Sequence, residues 1–201
     1  MKRLIDKKGV IMALLLLMGL GVYAQSADLA VGKTRISVEI DPATFVFKGY
    51  GIHLRLQPKN SAHLLFGLGA YAMDFPAVLV NLNQENKDMG WNVRLNQGYG
   101  LFSAYHFSEV NRKWFVGGQL AWQEYKVQKE NVAGEAKFSN MLLMGLGGYT
   151  FQPFDFGLYF KFWGGLGYTG KIGGDSFIGR DVYDISPILM FGALHIGFTF
   201  N

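Results

Sequence analysis

The chain has no cysteine and only 5 prolines in 201 residues, and charged side chains make up just 17% of it. The first absence excludes a disulfide scaffold and an acylated cysteine anchor. So little charge beside 50% hydrophobic residues excludes a disordered tail. Beyond the first 24 residues no run reaches about 18 uninterrupted apolar residues, so no transmembrane helix is expected. His53, His63, His106 and His195 are far apart, without His-x-x-x-His spacing, and Asn81, Asn83, Glu85 and Asp88 lack the spacing and central glycine of a calcium loop. Gly145-Leu146-Gly147-Gly148 lacks the lysine and helix of a phosphate loop. The expectation is therefore no metal and no cofactor.

What is abundant is glycine, at 27 residues, and aromatics, at 17 Phe, 10 Tyr and 4 Trp, a mix that favours closely packed strands over helical bundles. Residues 1–24 read as a leader: Lys2, Arg3, Lys7 and Lys8, then the apolar run Val10 to Val22, then Val22-Tyr23-Ala24 before Gln25. Cleavage there leaves 25–201 as one β-barrel domain. It removes four of the 19 basic and one of the 15 acidic side chains, so the mature chain carries only +1. Its charge gives no case for nucleic-acid binding.

The mature chain alternates with period 2. Phe156, Leu158, Phe160, Phe162, Leu166 and Tyr168 lie on one face, against Gly157, Tyr159, Lys161, Trp163, Gly165 and Gly167 on the other. Trp91, Val93, Leu95, Tyr99, Leu101 and Tyr105 alternate in the same way with Asn92, Arg94, Asn96, Gly98, Gly100, Phe102, Ala104 and His106. Such alternation suits a soluble sandwich or a membrane barrel, and strand length and number decide between them. Eight segments emerge, at 34–41, 47–57, 63–73, 90–107, 114–128, 137–151, 155–170 and 185–200, several too long for ordinary soluble strands. Short connections at 58–62, 108–113 and 152–154 alternate with longer ones at 74–89, 129–135 and 171–184. The reading is an all-β fold: an eight-stranded antiparallel transmembrane β-barrel, an up-and-down meander, with both termini on the periplasmic side. A soluble eight-stranded β-protein, such as a periplasmic lipid carrier, is the alternative.

The leader, the eight segments and the ending Phe198-Thr199-Phe200 resemble small outer-membrane β-barrel proteins of Gram-negative bacteria, in the broad style of the OmpA membrane domain, OmpX and OmpW. The stretches GYGIHLRLQP, YAMDFP, KDMGWNVRLNQGYGLFSAYHFS, WFVGGQL and LHIGFTFN look more narrowly like uncharacterised outer-membrane barrels of Bacteroidota. The resemblance implies location in the cell outer membrane, outer-membrane lipids as partners, and handling by the barrel-assembly machinery during insertion.

Extending the alternation assigns a lumen-lining set: Glu39, His53, Arg55, Arg94, Asn96, Gln119, Tyr159, Lys161 and His195. In an interior only wide enough for side chains, these charges are expected to pair and plug the barrel. Trp91, Tyr105, Trp114 and Tyr168, with Tyr183, are expected at the membrane interfaces. His106-Phe107-Ser108 with Glu109 faintly resembles the motif of barrel lipid A deacylases, but it falls at a short turn in mid-chain, and no catalytic residue is assigned. The loop 74–89 carries the apolar residues 77–82, which suit an extracellular partner, a lid over the barrel mouth, or burial in the outer leaflet. The leading expectation is a non-enzymatic barrel with a structural or surface-interaction role. A narrow channel for small or hydrophobic solutes comes second and a lipid-modifying hydrolase third.

Overall fold

The computed structural model describes residues 32–200, so the leader expected at 1–24 lies outside the described residues. Eight strands close into a ring in chain order: β1 (Arg35–Ile40), β2 (Tyr50–Gln57), β3 (Leu64–Asp74), β4 (Trp91–His106), β5 (Lys113–Lys129), β6 (Val132–Phe151), β7 (Leu158–Gly174) and β10 (Ile188–Phe200). A small hairpin, β8 (Phe177–Ile178) with β9 (Asp181–Val182), sits in the last long connection. Every ring pair is antiparallel, and β1 closes on β10 from Ile36 opposite Phe200 to Ile40 opposite Ile196.

The expected loop at 129–135 is instead a tight hairpin. Only Glu130 and Asn131 separate β5 from β6, and Asn131 turns the chain with a φ of +59°, a conformation asparagine tolerates. Between β1 and β2 the chain makes helix α1 (Pro42–Val46), started by Asp41, whose carboxylate accepts from the Ala43 N–H at 3.0 Å, and by Pro42 in the first turn. A Cβ at Gly49 would lie 1.8 Å from the Ala72 carbonyl oxygen, so only glycine lets the chain return into β2.

The polarity of the ring changes along its axis. On β5 the outward residues from Trp114 through Val116 and Leu120 to Trp122 are apolar, whereas Glu124, Lys126 and Gln128 beyond them are polar. The inward face changes in the opposite sense, from Gln119 and Gln123 to Tyr125 and Val127. The lower part of the ring is thus apolar outside, and the upper part is built like a soluble β-structure. Strand β4 makes this switch with a bulge between Leu95 and Gln97. Trp91, Val93, Leu95, Tyr99 and Leu101 all hold odd positions, but the extra residue turns the first three inward while Tyr99 and Leu101 remain outward.

The upper end is closed. Helix α2 (Ala77–Val80) and the 3₁₀ turn at Gln84–Asn86 fold over the ring with the β8–β9 hairpin. Val80, Trp91, Tyr125, Phe138, Ile178, Tyr183 and Ile185 form one buried apolar cluster. Asn86 donates to the Asp184 carbonyl at 2.7 Å, and Trp91 meets Tyr183 edge-on with ring centres 5.6 Å apart. Of the apolar loop residues, Val80 is buried and Val78 exposed.

Burial pushes the Tyr183 phenol up. A raised phenol stabilises the closed lid fully below the ordinary tyrosine value of about 10, and that stability is lost as pH rises through the folded value. In a Trp114→Phe/Trp122→Phe/Trp163→Phe background, Trp91 emission should therefore shift to the red above about pH 10. Adding Tyr183→Phe should abolish that shift, and a shift of unchanged size would show that Tyr183 does not govern the lid.

Candidate functional site

Cross-strand register brings residues 156 positions apart in sequence to one carboxylate. Glu39 on β1 is 0% exposed, and four side chains bond it. Arg55 of β2 holds Oε2 through Nε and a second guanidinium nitrogen, both at 2.9 Å, and His195 Nδ1 of β10 reaches the same oxygen at 3.0 Å. Tyr159 and Lys161 of β7 donate to Oε1 at 2.9 and 2.6 Å. The Trp163 indole, which can only donate, reaches His195 Nε2 at 3.1 Å. Nε2 must therefore accept, so Nδ1 carries the proton given to Glu39 and His195 is the neutral tautomer.

Two cations then face one carboxylate, and aromatic faces take the surplus charge. Arg55 lies 4.4 Å from the centre of the Phe102 ring, and Lys161 lies 5.3 Å from that of Phe115. Small residues make room for the cluster. A Cβ at Gly67 would come within 2.6 Å of Arg55 Cδ, and one at Gly197 within 2.2 Å of the Tyr159 ring. Each of these glycines is the cross-strand partner of the bulky residue it accommodates.

Glu39, His53, Arg55, Gln119, Tyr159, Lys161 and His195 all point inward and are buried. Arg94 and Asn96, expected beside them, do not. The β4 bulge carries both outward, where Arg94 pairs with Asp74 at 2.5 Å and Asn96 donates to Glu124 at 2.6 Å. The same bulge turns Trp91 inward, so it is buried at 7% exposure under the lid and does not stand at an interface. Tyr183 is likewise buried in the lid. Trp114 and Tyr168 stand on the outer surface at 63% and 58% exposure, and Tyr105 is half-buried against His63.

Trp163, Phe102, Phe115 and Asn111 belong to the interior but were not in the expected lumen set. Trp163 shares the inward parity of Tyr159 and Lys161, a signal available in the sequence. Asn111 had none, because a turn asparagine ordinarily bonds its own backbone. Here, at a φ of +62°, it donates into the barrel to Thr199 at 3.1 Å and to Ser37 at 3.4 Å, sealing the end that carries the termini. His106 faces inward with neither ring nitrogen hydrogen-bonded, and His63 Nδ1 bonds the carbonyls of His106 and Ser108. No His106–Ser108 side-chain bond exists among the described residues. Nor do they contain any acidic or histidine cluster able to hold a metal.

Above Glu39 a cavity of about 90 Å³ remains, lined by His53, Tyr71, Met73, Leu142, Met144 and others up to Phe75 and Tyr125. The Tyr71 hydroxyl accepts from Gln119 and Gln123, both at 3.1 Å, and Tyr125 donates to Gln123 at 2.9 Å.

No family model matches this chain, and no curated protein matches it. Among solved structures it is similar to the N-terminal β-barrel domain of Pseudomonas aeruginosa OprF, with 14% identity, a TM-score of 0.44, and coverage of 86% of this chain and 100% of that one. It is also similar to Neisserial surface protein A, with 12% identity, a TM-score of 0.43, and coverage of 86% and 98%. The narrower Bacteroidota grouping has no support from these comparisons.

Because Arg55 and Lys161 depend on Glu39, Glu39→Ala should cost about 3–5 kcal/mol, the penalty for stranding buried charge. Tyr159→Phe, which removes one bond to a charged group, should cost about 1.5–3 kcal/mol. Urea unfolding of the detergent-folded protein measures both. Equal, small losses would show that the carboxylate is solvated and the cluster open to water.

Proposed function

We propose that this chain is an outer-membrane β-barrel protein with a structural or surface-interaction role, its lumen sealed against flow along the axis. The observation that carries this reading is the band of exposed apolar side chains around the lower ring. Ile52, Leu54, Leu68, Leu101, Leu120, Leu143, Phe162 and Leu166 all face outward and are exposed. Such a band far exceeds the apolar patches that soluble monomers expose. On β5 it runs from Trp114 to Trp122, nine residues, matching the roughly 9–11 that a tilted strand needs to cross hydrocarbon. The ring closes by β1–β10 pairing at Ile196–Phe200, and helix α1 stands beside the remaining β10 edge, which limits the strand edge left open within the band.

Two barriers support the sealed lumen. The Glu39 cluster fills the middle of the barrel, and the apolar lid covers the upper mouth. Neither arrangement offers a continuous polar path. The polar outer surface above the band, with Arg94–Asp74, Lys126–Glu135 and Lys129–Asp181 ion pairs, is the face available to an extracellular partner, alongside the exposed residues Val78 and Leu82 of the 74–89 loop.

Two measurements test the proposal together. The protein should remain in the membrane pellet through a carbonate wash and leave it only in detergent. In a planar bilayer, with insertion verified by protease protection, the wild type should give no conductance steps. Release by carbonate would refute the membrane reading, and reproducible steps from the wild type would refute the sealed lumen.

A further inference from the structure

The cavity above Glu39 is shut along the barrel axis. Below it lies the charge cluster, and above it Phe75 meets Tyr125 edge-on at 5.5 Å beneath the lid. Its route outward is sideways. Strand β1 ends at Ile40 opposite Ile196, so residues 188–195 of β10 have β7 on one side and no strand on the other. Helix α1 lies beside this free edge, and Asp41 and Thr44 on one side with Leu189, Met190 and Phe191 on the other all line the cavity. Met190 points to the outer surface, 72% exposed, so the cavity reaches the outside between α1 and β10. Met190 pairs with Leu166 in register, one of the outward residues of the apolar band. The opening therefore meets the lipid-facing surface.

We propose that this cavity takes the end of a hydrocarbon chain from a lipid of the surrounding outer leaflet, admitted sideways between α1 and β10. The inference rests on the membrane reading above. The lining favours a hydrocarbon over water. Met73, Leu142, Met144, Leu189 and Phe191 dominate it; Tyr71, Gln119, Gln123 and Tyr125 bond one another, Thr44 donates to the Asp41 carbonyl, and His53 Nδ1, which has no partner, faces the Gly69 backbone. Apolar cavities of this kind stay dry and bind apolar ligands. At about 90 Å³ the space is several times the roughly 10–15 Å³ that a single water needs, room for a few methylene groups. That is the end of one acyl chain, with the headgroup left at the membrane surface.

The test is nuclear Overhauser spectroscopy on deuterated, methyl-protonated protein in nanodiscs of dimyristoyl phosphatidylcholine. Leu142 and Met144 point into the lumen, whereas Leu143 and Leu166 point outward. Cross-peaks from lipid chain methylenes to Met144 and Leu142 are expected in addition to those at Leu143 and Leu166. In Leu142→Trp, which fills the cavity, the Met144 cross-peaks should be lost while those at Leu143 and Leu166 persist. Lipid cross-peaks at the outer methyls alone, or water cross-peaks at Met144, would overturn the proposal and leave the membrane reading intact. Absence of lipid cross-peaks at Leu143 and Leu166 as well would overturn the membrane reading itself.

Discussion

A carboxylate with no access to water holds this barrel together. Glu39 sits on the shortest strand of the ring, and its cost of burial is offset only because Arg55, Tyr159, Lys161 and His195 supply donors from the three strands β2, β7 and β10. Those donors need space, and Gly67 and Gly197 provide it opposite the side chains they accommodate. The cluster also ties β1 across the interior to β7, which it does not touch in the sheet. With only six residues in β1, the sheet hydrogen bonds are supplemented at the point where the ring is thinnest.

The shortness of β1 has a second effect. It leaves the upper edge of β10 without a partner strand, and α1 stands there in its place. Above the cluster and below the lid, an apolar space meets this gap. On the reading proposed above, the fold opposes passage along the axis while offering apolar ligands a way in from the side. Both properties follow from where one strand stops and one charge is buried.

Much of the architecture was legible because the strands of a barrel with an apolar outer face alternate and run long. All eight segments correspond to ring strands, with ends shifted by a few residues. The inward parity of Glu39, His53, Arg55, Tyr159, Lys161 and His195 was also legible, since their strands carry one unbroken alternation across the lower ring. Arg94, Asn96 and Trp91 were misplaced for a specific reason. Trp91, Val93, Leu95, Tyr99 and Leu101 all carry odd numbers, and a bulge that reverses the direction of the first three leaves no trace in that pattern. The bulge lies where the outer surface of the ring changes from apolar to polar, so the apolar face changes sides there. The tight Glu130-Asn131 turn was missed for a related reason. Beyond the band, β5 and β6 continue as a hairpin with polar outer faces, so residues 129–135 looked like loop. The inward reach of Asn111 depends on a local backbone conformation that composition does not reveal.

The most direct measurement of the central claim is amide hydrogen exchange on β1 in the folded protein, comparing wild type with Glu39→Gln. If the buried carboxylate clamps the thin side of the ring, the amides of residues 36–40 should lose protection in the variant while those in the middle of β5 and β6 keep theirs. Unchanged protection across 36–40 would mean that the sheet alone closes the barrel and that the charge cluster merely fills it.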